Sequence, residues 1–146
     1  MVVGASPLNI DLPGTNDQHL QGRPELELTP RFQLSPHLRL DWRNRAEWRW
    51  NEGTEPTAYR SRHRLQLAWT LPDEVPPLNR VFMSNEWLLD LHGHGLSENR
   101  LVPLGLTFSL SAVADLDLFY LQLSSHTLAG WRSESVVGTH FRYRFR

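Results

Sequence analysis

The chain has 146 residues, enough for one domain with its own core. Its 15 basic and 16 acidic residues nearly cancel, so no net field favours nucleic acid or an acidic membrane surface, and nucleic acid is not an expected partner. Cysteine is absent, which excludes disulfides and thiolate metal sites, and no run of about 18 apolar residues exists, which excludes a membrane helix.

The amino-terminal region differs in composition from the rest. Residues 1–23 are rich in Pro, Gly, Asn and Asp and predict an irregular arm or a weak strand. They lack the basic start and apolar stretch of a signal peptide. We therefore expect an arm over residues 1–23 and a β domain over residues 24–146.

Turn signals recur at strand-length intervals through the rest of the chain, and no segment has a convincing helical period. Tight turns near 36 and 111 and longer connections at 51–58 and 125–133 are typical of an antiparallel up-and-down barrel of about eight strands, the arm supplying the eighth. Broken alternation predicts β-bulges near Pro103 and residue 118. The seven clear strands are predicted near 24–35, 38–50, 59–71, 80–91, 98–110, 113–124 and 134–145.

Residues 38–50 and 59–71 show the clearest period-two pattern, with one face almost wholly ionic and the other almost wholly apolar. Tryptophans near both ends of the apolar face are spaced to span roughly 20 to 25 Å along a barrel axis, the height of an outer-membrane apolar band. The alternative is a soluble barrel with these tryptophans in its core. Because they would crowd a small barrel, we expect this face to contact lipid. The predicted lipid-facing residues are Leu40, Trp42, Trp48, Trp50, Tyr59, Leu67, Trp69, Phe141, Tyr143 and Phe145.

The opposite face then lines the barrel interior as a network of arginines and carboxylates. Pairing Trp50 with Tyr59 predicts Glu47 opposite Arg62, and closure of the barrel would bring Glu25 and Glu27 to the last strand. All fifteen basic residues are arginine, which stays charged and forms bidentate pairs when desolvated. The predicted interior network comprises Arg39, Asp41, Arg43, Arg45, Glu47, Arg49, Arg60, Arg62, Arg64, Arg142 and Arg144.

Several segments resemble the family described as domain of unknown function 2490. They are the stretch from Pro30 to Leu40, Asn44 to Arg49, Tyr59 to Leu67, Asn85-Glu86-Trp87, Glu98 to Leu101 with Gly105-Leu106, and Tyr120 to Gln122. The resemblance covers residues 24–146 and implies an outer-membrane-type barrel of Gram-negative bacteria, with a closing aromatic strand at Phe141–Phe145 and no established activity. Two features depart from the pattern: the missing signal peptide, and Arg146 where such barrels commonly end on an aromatic residue.

Three classes of function follow. The first is a structural or weakly conducting barrel in the bacterial outer membrane, with membrane lipid as its partner and no covalent chemistry. The second is a lipid hydrolase similar to outer-membrane lipid A deacylases, using Ser124, His126 and Glu134, beside which Ser125 also lies. The third is a soluble, lipocalin-like barrel that holds an apolar ligand. No cofactor is expected, and His92 and His94, although spaced for a metal, have no marked third ligand. The oligomeric state is not predicted.

Overall fold

In a computed structural model, the chain forms a single antiparallel sheet. The structure describes the backbone of residues 2–11, 18–51, 54–72, 77–91 and 95–145, and the side chains of residues 24–48, 59–72, 77–91 and 95–145. The strands are β1 (Val2–Asp11), β2 (Gln18–Leu28), β3 (Arg31–Gln33), β4 (Leu38–Asn51), β5 (Thr54–Thr70), β6 (Leu78–Asp90), β7 (Gly95–Ser111), β8 (Ala114–Thr127) and β9 (Gly130–Tyr143).

Eight of these strands pair in the order β1-β2-β4-β5-β6-β7-β8-β9, and the short β3 pairs with one end of β4. Every pairing is antiparallel and joins strands that are neighbours in the chain, apart from the insertion of β3. Pro30, which cannot donate a ladder hydrogen bond, lies where β2 stops and β3 begins. The predicted all-β antiparallel meander is therefore confirmed.

The predicted closed barrel is not seen. Over the residues that the structure describes, β1 and β9 form the two ends of the sheet and do not pair with each other. The predicted approach of Glu25 and Glu27 to the last strand is wrong for the same reason, since both carboxylates lie against Arg45 of β4. The boundary predicted at residues 23 and 24 falls within β2, and the predicted arm contains β1.

The connections also differ from prediction. Only Leu128 and Ala129 separate β8 from β9, where a long connection over 125–133 was expected. Gly130, at φ 108°, adopts a backbone conformation open to glycine and lets the chain turn within two residues. The predicted bulge near Pro103 is present as a register shift between Leu101 and Leu104, whereas β8 and β9 pair in unbroken register through residue 118.

The two faces of the sheet have unequal exposure. We call the face that carries Arg43, Arg45 and Glu47 the charged face, and the face that carries Trp42 and Trp48 the apolar face. Glu47, Leu88 and Thr107 on the charged face are 2%, 0% and 1% exposed. Since strands contact only their sheet neighbours, with no second layer among the described residues, the sheet buries this face by curving around it.

A row of alternating large and small residues crosses the charged face of the sheet. The register aligns Ala68, Phe82, Gly105, Phe119 and Gly138 on five consecutive strands. A Cβ on Gly105 would lie 2.2 Å from the Phe82 ring, and one on Gly138 would lie 2.5 Å from the Phe119 ring. Each phenylalanine therefore lies flat over the glycine of the next strand, which fills the concave face without steric overlap.

Candidate functional site

Ion pairs lie along the charged face from one end of the strands to the other. On β4, Arg45 contacts Glu25 at 3.1 Å and Glu27 at 2.6 Å, both from β2. On β5, Arg62 Nε lies 2.8 Å from Glu47 Oε1. Both arginines are partly buried, so their guanidinium groups need these carboxylates to offset desolvation. The first group of pairs thus ties together β2, β4 and β5.

The ion pair expected from Glu47 to an arginine of β5 is present, but its register differs from prediction. Trp48, and not Trp50, pairs with Tyr59, which sets Arg60 directly opposite Glu47. The carboxylate of Glu47 therefore reaches Arg62 diagonally. The cause is a tight β4–β5 hairpin, in which β5 begins at Thr54, with a register irregularity at Arg49 to Asn51.

A second group lies at the middle of the charged face. Arg43 of β4 crosses β5 to reach Glu86 of β6, with Nη2 2.5 Å from Oε1. Glu86 is buried and lies directly opposite Arg64 in the ladder, while Arg64 also faces Arg43. The Glu86 carboxylate thus lies near two arginines and pairs with Arg43. Arg64 forms no ion pair within the part of the chain that the structure describes. Farther along β7, Arg100 pairs with Glu98.

The third group surrounds a polar cavity of about 210 Å³ near the β5–β6 and β7–β8 connections. Asp117 accepts hydrogen bonds from Thr107 at 2.6 Å and from Arg142 at 2.9 Å, and it lies 3.7 Å from Arg80. Asp115 lies 3.4 Å from Arg144. Both aspartates are buried, so they hold β6, β7, β8 and β9 together through charge-assisted contacts.

The predicted interior residues mostly lie on this charged face. Arg39 pairs with Asp41 at 2.9 Å, and the remaining described members take the positions given above. The side chains of Arg49 and Trp50 lie outside the described residues. Sequence reasoning left Arg80, Glu86 and Thr107 out of the network. Arg80 and Glu86 share the same parity along β6, and the bulge at Pro103 brings the odd-numbered Thr107 to the face of β7 that also carries Arg100.

The apolar face is broadly exposed. Trp42, Trp48 and Trp69 are 43%, 39% and 54% exposed, and Leu40 and Leu67 on the same face are partly exposed. Tyr59 of β5, Phe141 and Tyr143 of β9 and Phe145 beyond it are also exposed. Four buried apolar residues, Ala68, Leu88, Val102 and Ala114, make up the described core. The tryptophans are thus on the surface, whereas the buried carboxylates and their ion pairs share the charged face with Leu88 and the phenylalanine row.

The structure does not assemble the serine, histidine and acid set predicted from Ser124, His126 and Glu134. Ser124 hydrogen bonds Ser133 at 2.9 Å, and His126 packs edge-on against Trp131 with ring centroids 5.4 Å apart. Glu134 pairs with Leu123 in the ladder, so it projects from the charged face while Ser124 and His126 project from the apolar face. An acid on the other side of the sheet cannot orient this imidazole.

No group of three or more His, Cys, Asp or Glu side chains is arranged to hold a metal ion among the described residues, and His92 and His94 lie outside them. In the same part of the chain, no helix has the length and apolarity needed to cross a bilayer.

The fold and the site together define an all-β protein of one antiparallel meander, with ion pairs on its buried face and aromatic residues on its exposed face. The chain belongs to the family described as Protein of unknown function (DUF2490), whose model matches residues 8–134. This match extends the resemblance seen in the sequence toward the amino end, into β1 and the first part of β2, and it ends at Glu134 within β9. Among curated proteins and solved structures, none matches the chain.

Proposed function

We propose that this protein is an outer-membrane β-barrel of Gram-negative bacteria, with a structural or weakly conducting role. In this proposal the apolar face contacts membrane lipid and the charged face lines a narrow interior. The observation that carries it is the inverted polarity of the sheet. Buried Glu47, Glu86, Asp115 and Asp117 lie on one face, and exposed tryptophans lie on the other.

Water would favour the opposite arrangement. Burial of apolar surface is the main favourable term in folding in water, and carboxylates are almost never buried unless they are paired. A protein whose apolar face meets hydrocarbon gains nothing from turning that face inward, and it must satisfy its polar groups internally. The ion pairs of Glu47, Glu86 and Asp117 meet that requirement.

Closure of the barrel is part of the proposal. A sheet edge in hydrocarbon would leave backbone N–H and C=O groups without partners, so in a membrane β1 and β9 would pair. Eight strands enclose little more than their own side chains, and the charged face is filled by ion pairs, so conduction through the interior would be weak. The open bore that remains would lie at the polar cavity beside Asp115 and Arg142.

The soluble, lipocalin-like barrel that holds an apolar ligand is the second candidate, and one experiment separates the two. The protein is folded into vesicles of phosphatidylcholine carrying bromine at defined acyl-chain depths, and tryptophan fluorescence is measured. We expect the brominated chains to quench the fluorescence of Trp42, Trp48 and Trp69, because bromine quenches only on contact. Each of the three residues is measured in a variant that retains it and lacks the other two. Acrylamide, a water-soluble quencher, serves as the matched control and should act weakly on the same residues in vesicles.

A soluble barrel would give the reverse result. The protein would then stay monodisperse in buffer without detergent, acrylamide would quench the exposed Trp42 and Trp69, and bromine in the acyl chains would have no effect. A far-ultraviolet circular dichroism spectrum of β type is required in both media, so that an unfolded sample is not mistaken for either outcome.

A further inference from the structure

Three polar residues interrupt the apolar face at one place. Asn44 of β4 lies directly opposite His63 of β5, and Ser61 lies two residues before His63 on the same strand. Period-two alternation therefore projects all three side chains from the same face as Trp42, Trp48 and Tyr59. Each is partly exposed, so the group is accessible from outside the sheet.

The three side chains form a chain of short hydrogen bonds. His63 Nδ1 is 2.7 Å from Asn44 Oδ1, and His63 Nε2 is 2.8 Å from Ser61 Oγ. The Asn44 amide is oriented by its own nitrogen, which donates to the Trp42 carbonyl oxygen at 3.4 Å, so its oxygen faces the imidazole. The order of contacts is therefore hydroxyl, imidazole and amide oxygen.

This geometry fixes the tautomer of the neutral imidazole. An amide oxygen can only accept, so Nδ1–H of His63 donates to Asn44. Nε2 is then unprotonated, and it accepts the hydrogen bond that the Ser61 hydroxyl donates. A serine whose hydroxyl points at the free nitrogen of an oriented histidine has the arrangement of an activated nucleophile and its base.

We propose that Ser61, His63 and Asn44 form the catalytic group of an ester hydrolase on the apolar face. Ser61 and His63 are its catalytic residues, and Asn44 is a positioning residue that acts through His63. The sequence predicted no covalent chemistry and gave a hydrolase at Ser124 as the alternative. The hydrogen bonds of His63 support a hydrolase, as in that alternative, but with Ser61 and not Ser124 as the nucleophile.

The reaction follows from the contacts. Ser61 Oγ attacks the ester carbonyl carbon while its proton passes to His63 Nε2, and the C–O bond to the alcohol breaks as His63 returns that proton to the leaving oxygen. Water then attacks the acyl-serine, again giving a proton to Nε2, and the carboxylic acid leaves as Ser61 regains its hydrogen. The sum is ester plus water giving acid plus alcohol, with no oxidant or cofactor.

The substrate class follows from the surroundings of Ser61. In the ladder Ser61 lies between Ala46 of β4 and Leu89 of β6, and its strand neighbour Tyr59 is exposed on the same face. The small Ala46 leaves space beside the hydroxyl, and the apolar neighbours suit an acyl chain. We assign the substrate as the acyl ester of a lipid; this part rests on the proposed membrane location, whereas the nucleophile itself does not.

The backbone gives an expectation for the rate. β5 lies between β4 and β6, so the ladders engage the backbone N–H groups around Ser61. The oxyanion of the tetrahedral intermediate would then depend on side-chain or solvent donors, and missing oxyanion donors typically cost about 10² to 10³ in kcat. Slow turnover is expected, so covalent labelling is a sharper first test than product release.

The test uses the full chain folded in detergent micelles and a fluorophosphonate probe, with intact mass and peptide mapping as the readout. We expect one adduct, located on Ser61 and absent from Ser61→Ala. His63→Ala should slow labelling by about 10² or more, as expected for loss of a general base. Asn44→Leu should also slow it, and Asn44→Asp should restore it, because a carboxylate oxygen can accept the Nδ1–H bond.

Matched controls are available on the same face. Ser124→Ala removes an outward serine that bonds another hydroxyl, and His126→Ala removes an outward imidazole that contacts Trp131. Neither should change labelling. A folded wild type that is not labelled, or that is labelled equally in Ser61→Ala, overturns the proposal. Folding of every variant is verified by its circular dichroism spectrum.

The lipid assignment has its own readout. Wild type is supplied with vesicles of phosphatidylethanolamine and, separately, with soluble p-nitrophenyl butyrate, and release of acid is measured against Ser61→Ala. Release of fatty acid that depends on Ser61 supports the lipid ester, and activity on the soluble ester alone overturns it. Brominated-lipid quenching tests membrane location independently, so failure of that proposal leaves the Ser61 labelling result interpretable.

Discussion

The charged face and the apolar face of this sheet differ in both burial and polarity. On the charged face, Glu47 and Asp117 are nearly inaccessible, and each lies within hydrogen-bonding distance of an arginine. On the apolar face, Trp42 and Trp69 are exposed and make no ring contact with another aromatic side chain in the part of the chain that the structure describes. The difference teaches that electrostatic pairing organises the concave side of this sheet, while the large aromatic side chains of the convex side are left exposed.

Loss of a buried carboxylate should give the largest effect on this contrast. In Glu47→Ala, Arg62 is left partly buried without its partner, and we expect the free energy of unfolding to fall by about 3 to 5 kcal/mol. The matched control is Glu134→Ala, whose pair with Arg132 is largely exposed and should be worth under about 1 kcal/mol. Urea titration monitored by tryptophan fluorescence measures both. Unchanged stability of Glu47→Ala would show that water solvates the charged face and that the pair is unimportant.

A charge moved onto the apolar face should give the next largest effect. Trp42→Arg is expected to weaken folding into phospholipid vesicles by about 2 to 4 kcal/mol near the bilayer midplane and by under about 1 kcal/mol near the interface. Gln66→Arg, on the charged face opposite Asp41, should cost less because the new guanidinium meets a carboxylate. The two variants are compared by reversible unfolding from vesicles. Equal costs would argue that neither face contacts lipid.

The phenylalanine and glycine row should be sensitive to a single methyl group. Gly105→Ala places a Cβ against the Phe82 ring, and overpacking of this kind costs about 1 to 3 kcal/mol. Adding Phe82→Leu to the same chain should recover part of the loss, because the smaller side chain makes room. A double-mutant cycle in urea gives the coupling between the two positions. Additive losses would mean that the ring moves aside without cost.

A contact on the apolar face should give the smallest effect. His126 and Trp131 face each other across β8 and β9, and cross-strand pairs of this kind contribute about 0.2 to 1 kcal/mol. We expect a double-mutant cycle of His126→Ala and Trp131→Ala to give a coupling energy in that range. A coupling as large as the loss in Glu47→Ala would mean that the apolar face is packed against protein, and the contrast between the faces would fail.

The sequence by itself determined most of the strands and the two faces of the clearest pair. Strict alternation over residues 38–50 and 59–71 fixed strands β4 and β5 and separated arginines from tryptophans, because side chains along a strand project alternately to opposite faces. It also placed Asn44, Ser61 and His63 on the apolar face. The break in alternation at Pro103 located the bulge in β7.

Only the tertiary structure decided which residues meet. The predicted pairing of Trp50 with Tyr59 would have set Asn44 beside Leu65, whereas the pairing of Trp48 with Tyr59 sets Asn44 beside His63 and creates the contact on which the proposed hydrolase depends. A shift of two residues keeps every side chain on its face, so the alternating pattern is equally compatible with both registers. The register irregularity between Arg49 and Asn51 accompanies the observed pairing, which sets Asn44 as the cross-strand partner of His63.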